Sequence, residues 1–315
     1  MNNLRIVFMG TPDFAVGILD AIIKNKYEVV GVISAADKPA GRGQLLKHSA
    51  VKSYALDNNL KLLQPTNLKD IVFLEELKLL QANVQVVVAF RMLPDAVWKM
   101  PQLGTFNLHA SLLPNYRGAA PINWAIINGE TKTGVTTFFI DDKIDTGAII
   151  RSKEIAISST ESVGNLHDRL MNLGKEAVTE TLQLIEKGSV TTTIQDQSED
   201  FKTAYKLNKD NCKIDFSRSG NDIYNLIRGL SPYPAAWCVL KDVKQQWIIK
   251  IYESKFVAEN HNIVAGKVLT TKKEMKIAVI DGFLEIINLQ FPGKKQMKIN
   301  ELLNGMTFCE TIIAL

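Results

Sequence analysis

Apolar positions in the first half of the chain switch repeatedly between two periods. Residues 4–9 form a short apolar run closed by Gly10-Thr11-Pro12-Asp13, which predicts a buried strand and a turn. Phe14, Ile18, Leu19, Ile22 and Ile23 then recur at helical spacing, and residues 27–34 return to a strand pattern. Helical patterns at 51–56 and 71–80 precede a continuous apolar run, 84–90, that reads as a strand covered on both faces. Residues 104–108 and 135–140 supply two further strands. Strands alternating with helices predict parallel β-α-β units, hence an open α/β sheet with helices on both sides.

The pattern changes after residue 188. Residues 158–187 read as one long helix, with a start signal at Ser159-Thr160-Glu161, a stripe of Val163, Leu166, Leu170 and Leu173, and a stop at Gly188. Residues 189–205 are rich in Thr, Gln, Asp and Ser with weak periodicity, and are expected to connect two domains, 1–188 and 206–315. Beyond them, a helix at 222–229 precedes short strand-like runs at 237–240, 247–252, 266–270, 276–280 and 284–289. Strands of that spacing predict a small β-barrel.

At 315 residues the chain suits two domains, and 46% apolar with 22% charged residues excludes wholesale disorder. The net charge of +4 is unevenly placed. From Lys206 onward there are 16 Lys and Arg against 11 Asp and Glu, while the preceding 205 residues hold 21 against 22. The positive excess therefore lies in the C-terminal third, which suits a polyanionic partner or a merely solvated basic face. Cys212, Cys238 and Cys309 are too few and too dispersed for a disulfide framework, and with four scattered histidines no metal site is expected. The N-terminus lacks a signal-like head, and no apolar stretch approaches the roughly 20 residues of a membrane span. The expected compartment is the cytoplasm, with no membrane association.

Two common nucleotide motifs are absent. The turn at Gly10 lacks the G-x-G-x-x-G spacing of dinucleotide sites, and residues 41–49 lack the Gly that precedes Lys in a phosphate loop. The chemistry gathers instead at Asn107-Leu108-His109-Ala110-Ser111-Leu112-Leu113-Pro114, followed by Tyr116-Arg117-Gly118 and by Asp145-Thr146-Gly147. Acyl transfer needs a donor for a developing oxyanion, a group that handles protons, and something to hold that group. Asn107, His109 and Asp145 fit those three roles. Asn107 and His109 share one face of a strand and lie at its carboxyl end, where sites form in open α/β sheets. A histidine alone is more often structural; the amide beside it and a carboxylate on a glycine-bearing turn raise the functional reading. The loop at 35–48 is longer than the ~2–6 residues usual between such elements. Its cations, Lys38, Arg42 and Lys47, suit contact with a phosphate backbone, or simple solubility.

These residues resemble the 10-formyltetrahydrofolate-dependent formyltransferases, and most closely their methionyl-tRNA formyltransferase branch. The similarity runs from Phe8-Met9-Gly10-Thr11-Pro12-Asp13-Phe14-Ala15 through Asp37-Lys38-Pro39-Ala40-Gly41-Arg42-Gly43 and the 107–121 block to Leu230-Ser231-Pro232-Tyr233-Pro234-Ala235-Ala236-Trp237. It implies a Rossmann-like, mostly parallel sheet domain followed by a small OB-like barrel that binds tRNA. It implies formyl transfer from 10-formyltetrahydrofolate to the α-amino group of initiator methionyl-tRNA; a monomer is expected, and no metal. Asn107, His109 and Asp145 match the family's catalytic residues, and Ser111, Leu112, Leu113 and Pro114 match its folate-binding turn. Arg42, with Lys38 and Lys47 beside it, matches the loop that enters the acceptor arm. Arg91, in Ala89-Phe90-Arg91-Met92-Leu93-Pro94, stands where the family carries Gly, and Lys38 stands where Arg is common. A formyltransferase acting on glycinamide ribonucleotide or an amino sugar nucleotide would share the same trio, and a non-catalytic RNA-binding protein is the alternative from another class.

Overall fold

The computed structural model describes residues 3–40, 45–196, 200–243 and 245–315. The chain divides into two compact units. Met1–Pro121, Thr133–Ile155 and His167–Thr203 make the first; Ile122–Lys132, Ala156–Leu166 and Ala204–Leu315 make the second. In chain order the first half runs β1 (Arg5–Gly10), α1 (Asp13–Lys24), β2 (Glu28–Ile33), β3 (Lys38–Ala40), β4 (Leu45–Lys47), α2 (Ala50–Asp57), β5 (Leu62–Leu63), α3 (Ile71–Leu79) and β6 (Val84–Val88). It continues with α4 (Asp95–Trp98), β7 (Thr105–His109), β8 (Arg117–Gly118), α5 (Pro121–Ile127), β9 (Lys132–Phe139), β10 (Ile149–Ala156) and α6 (Val163–Lys187).

The first unit is built on a sheet of order β10-β9-β7-β6-β1-β2-β5. β1 pairs in parallel with β2 and β6, β2 with β5, and β6 with β7, while β9 joins β7 antiparallel. The chain leaves β1 toward β2 on one side and returns to β6 on the other, so the strand order reverses between β1 and β6. Ligands in open α/β sheets bind beyond the carboxyl ends of strands at such a reversal. β6 is buried at every position because both faces are covered. Val7, Met9, Ile33, Phe73, Leu77, Val87 and Val97 form the core of one face. Leu108 points to the other, where α6 approaches closely: a Cβ on Gly174 would lie 2.8 Å from Leu108 Cδ2.

Three local expectations differ from the structure. The loop at 35–48 contains a short hairpin, β3 and β4 pairing antiparallel with Lys38 opposite Lys47. The strand expected over 104–108 is shifted by one residue, which takes His109 into β7. The long helix begins at Val163 and not near 158. The reason is local: Ser158 O accepts from the Glu161 N–H in a preceding turn, and Ser162 Oγ accepts from Asn165 N at 3.4 Å. Ser162 is thus the capping hydroxyl.

The second unit adds β11 (Thr203–Ala204), α7 (Gly220–Leu230), β12 (Ala236–Lys241), β13 (Gln246–Ala258), β14 (Val268–Thr270), β15 (Met275–Val279), β16 (Gly282–Gln290), β17 (Met297–Lys298), α8 (Ile299–Leu303) and β18 (Ile313–Ala314). Its sheet runs β14-β15-β16-β13-β12-β18 and bends back on itself. Lys267 bridges Ile313, and Ala314 N donates to Gly266 O at 2.7 Å, so the two edges meet and the barrel nearly closes. Gly266 permits this approach: its φ is +85°, and a Cβ would lie 2.4 Å from Ala314 O. Inside are Ala236, Cys238, Leu240, Ile249, Ile251, Ile277 and Leu284. α7, capped by Ser219, covers this core with Ile223, Ile227 and Leu230. Burial pushes the Cys238 thiol up to about 12, which marks it as packing and not chemistry.

Candidate active site

β7 supplies the first two candidate side chains. Strand alternation puts Phe106 and Leu108 into the core at 0% and 3% exposure, leaving Asn107 and His109 on the opposite face. Asn107 lies opposite Val87 of β6 and Phe138 of β9, and His109 lies opposite Thr136. Asn107 is half-buried, and among the described residues its amide makes no hydrogen bond. It is a donor without an assignment, at the carboxyl edge of the sheet.

His109 is 7% exposed and is held from both sides. Its Nε2 lies 2.8 Å from the Tyr116 carbonyl oxygen, to which an Nε2–H donates. Its Nδ1 faces Asp145 Oδ2 at 3.7 Å, the same oxygen that accepts the Gly118 N–H at 3.0 Å. The structure therefore brings His109 and Asp145 together across a separation of 36 positions. Asp145 reaches this place from a turn that reverses the chain after β9. Asp141 organises that turn, accepting from Thr146 Oγ1 at 2.8 and 2.9 Å and from Lys143 N at 3.1 Å. Asp145 itself has φ +56°, a conformation that Asp adopts more readily than most residues. Gly147 is required next: a Cβ there would lie 1.7 Å from Phe139 O.

The segment Ser111 to Pro114 forms a turn directly beyond β7. Ser111 is fully buried, and its Oγ donates to Asn115 O at 2.7 Å. Thr136 Oγ1 donates to Ser111 O at 2.7 Å and lies 3.2 Å from the Leu113 N–H. Leu113 is buried at 7%, while Leu112 and Pro114 are half-buried. Ser111 thus fixes the turn, and Leu112 and Pro114 carry its accessible surface.

Of the cations in the long loop, Arg42 lies outside the described residues, and Lys38 and Lys47 are placed by their backbone in the hairpin. The base of that hairpin is anchored by Asp37. Its carboxylate accepts from Lys52 Nζ at 2.5 Å and Gln64 Nε2 at 3.1 Å, with His48 Nδ1 at 3.1 Å. Hydrogen bonds from Lys52, then Gln64 and His48, hold the Asp37 carboxyl well below the usual carboxylate range. A depressed folded value means its contribution to stability is present above the ordinary ~3.9 and is lost only as pH falls through the lower folded value. In a carboxyl-carbon NMR titration Asp37 should stay ionised at about pH 3, and Lys52→Met should return it toward the ordinary midpoint. A midpoint near ~3.9 in the unaltered protein would sink this anchoring role. Arg91 also serves an anchor: its guanidinium donates to Thr66 O at 2.9 Å and to Pro65 O, and lies over the Phe90 ring.

Residues 4–182 match the family model for formyl transferase, and residues 206–307 match that for the formyl transferase C-terminal domain. The chain belongs to the formyl transferase family. Its relatives include a methionyl-tRNA formyltransferase of Flavobacterium johnsoniae, 70% identical over 98% of each chain. Another, from Flavobacterium psychrophilum, is 68% identical over 98% of each, and one from Bacteroides fragilis is 50% identical over 98% of this chain and 97% of its own. The sugar 3N-formyltransferase WlaRD shares the fold of both formyltransferase units at TM-score 0.65 and 24% identity, over 94% of this chain and 100% of its own. HypX from Aquifex aeolicus, solved in complex with tetrahydrofolic acid, does so at TM-score 0.64 and 16% identity over 96% of this chain and 47% of its own. The open sheet and barrel expected from periodicity are the two folds of this family.

Sequence reasoning missed Gln195 and Thr136, and gave Tyr116 and Arg117, although within the central motif, no role of their own. Gln195 is 3% exposed and donates through Nε2 to Asp145 O at 3.0 Å and Gly147 O at 2.8 Å. It falls in the polar stretch 189–205, which offered no periodicity to single it out.

Proposed function

We propose that this protein transfers a formyl group from 10-formyltetrahydrofolate to the α-amino group of initiator methionyl-tRNA, giving N-formylmethionyl-tRNA. The observation that carries this reading is the pair of half-buried Asp145 and buried His109, the latter on the strand face that also carries the Asn107 amide, unbonded among the described residues, in a chain 70% identical to a methionyl-tRNA formyltransferase. The carboxyl edge of β7 lies on the same sheet margin as the strand-order reversal, and an open amide donor there fits a carbonyl-bearing co-substrate. Leu112 and Pro114 would line the folate, on the turn fixed by Ser111 and Leu113.

10-Formyltetrahydrofolate supplies the formyl carbon and a nitrogen leaving group. The α-amine titrates near ~7.7–8.0 unperturbed, so a useful fraction is already nucleophilic at neutral pH. As its nitrogen bonds the formyl carbon, negative charge grows on the formyl oxygen, and Asn107 Nδ2–H donates to it. His109, clamped between Asp145 and the Tyr116 carbonyl, exchanges a proton through Nδ1, the ring nitrogen that faces Asp145 at 3.7 Å. Asp145 holds the imidazole and, with it, routes the proton lost by the amine toward the departing nitrogen. The reaction runs in the cytoplasm on a monomer and draws on no metal.

Arg42, Lys38 and Lys47 act on the tRNA backbone and not on the chemistry. Arg42→Ala should raise the apparent KM for tRNA and reduce the salt slope by about 1, leaving the KM for folate unchanged. A rise in the folate KM alone would overturn that role. The function itself is tested with purified protein, 10-formyltetrahydrofolate and initiator methionyl-tRNA. Formylated tRNA should form, with free methionine and amino sugar nucleotides inert; formylation of the small amines instead would refute the proposal.

A further inference from the structure

Three consecutive residues touch three members of the site. The Tyr116 carbonyl accepts from His109 Nε2, the Arg117 guanidinium reaches Gln195, and the Gly118 N–H donates to Asp145 Oδ2. Gln195 closes the circuit. Its Oε1 accepts from Arg117 Nη2 at 2.7 Å and Nε at 3.2 Å, while its Nε2 donates to the main-chain oxygens of Asp145 and Gly147. Arg117 Nη2 also lies 3.3 Å from Asp196 O.

The orientation of the Gln195 amide is therefore dictated. Turned over, it would set its oxygen against two carbonyl oxygens and its NH₂ against a guanidinium, both repulsive. Gln195 is 3% exposed and Gly147 is buried, while Arg117 and Asp145 are half-buried, so a lost bond would leave the Gly147 carbonyl or the amide itself unsatisfied away from water. Asp145 needs such a brace. Among the described residues its side chain is held by one main-chain donor and by His109 at 3.7 Å, on a residue with φ +56°. The two bonds from Gln195 grip the backbone on either side of Thr146, and Arg117 locks the amide that makes them.

We propose that Gln195, oriented by Arg117, is a positioning residue that sets the approach of the Asp145 carboxylate to His109. The proposal rests on the reading that Asp145 acts in the reaction. It differs from a general contribution to stability, because its effect passes through one carboxylate. Gln195→Ala should lower kcat about 10- to 100-fold, since a displacement near 1 Å at a reacting group can cost on that order. The KM values for folate and tRNA should move less than about two-fold, as neither is held by this circuit. Gln195→Met, similar in length and without the amide, should behave alike and keeps the site filled if the Ala variant fails to fold.

The deciding measurement is a double-mutant cycle with Asp145→Ala. With the carboxylate gone, its position no longer matters, so adding Gln195→Ala should change kcat less than about two-fold. The same loss in both backgrounds would overturn the proposal, as would a folded Gln195→Met with near-normal kcat. If Asp145→Ala itself keeps full turnover, it is the reading of Asp145 that fails, and the two failures are told apart by that single variant.

Discussion

Asn107→Ala is expected to reduce kcat by about 10²- to 10³-fold, the usual cost of deleting one preorganised oxyanion donor. The apparent KM for tRNA should stay within about two-fold, because the donor is engaged most strongly once charge develops. The reasoning starts at the strand. Phe106 and Leu108 are fixed in the core, so the backbone of β7 has no freedom to rotate, and Asn107 must project from the other face. Parallel pairing with β6 and antiparallel pairing with β9 hold it on both sides. Among the described residues nothing uses its amide, so the donor is available at no cost of breaking an internal bond. Alanine keeps the strand and removes only that donor. Steady-state kinetics with both substrates decide the matter: kcat within five-fold of the unaltered enzyme, or a loss confined to KM, would remove Asn107 from the reaction.

The legible part of this protein is the part whose local signals agree with its tertiary environment. β1, α1, β2, β6 and α3 could be placed from periodicity because each buries a continuous apolar face, and burial is what periodicity records. The charge asymmetry and the short strands after residue 206 likewise marked a second unit of different character. Asn107 and His109 could be assigned to one face because alternation in a strand is geometric. Asp145 could be suspected from its glycine-bearing turn, but no local rule carries a turn across 36 positions to an imidazole.

What stayed hidden is held by polar contacts between distant segments. Gln195 has no periodicity, and its importance comes from two carbonyls 50 and 48 positions away. The Tyr116 carbonyl is a backbone atom, which no residue type announces. The hairpin β3–β4 lies in a stretch too polar to read as strands, and its base is set by Asp37, Lys52 and Gln64, three residues from three separate segments. The start of α6 was misplaced because four Ser and Thr residues compete for the cap near 158–162, and side-chain hydrogen bonding chose the last. The departure at Arg91 was visible in the sequence, yet its partners, the carbonyls of Pro65 and Thr66, were not.

The same dependence on distant backbone makes Gly147 a sensitive position beside the proposed catalytic side chains. Gly147→Ala is expected to lower kcat about 10²-fold and to destabilise the first unit by about 1–3 kcal/mol, the range for overpacking a buried site. A Cβ there would meet Phe139 O at 1.7 Å and Phe139 C at 2.9 Å, both backbone atoms that no rotamer change can move. Relief requires the turn to shift away from β9, which breaks the Phe139 N–H bond to Ala148 O at 3.0 Å. That shift also draws the Gly147 carbonyl off Gln195 and carries Asp145 with it, two residues upstream. Turnover measured well below the unfolding temperature separates displacement from loss of folded protein. A variant with normal kcat would mean that the turn can move without moving the carboxylate, and the coupling between this glycine and the Asp145–His109 pair would have to be abandoned.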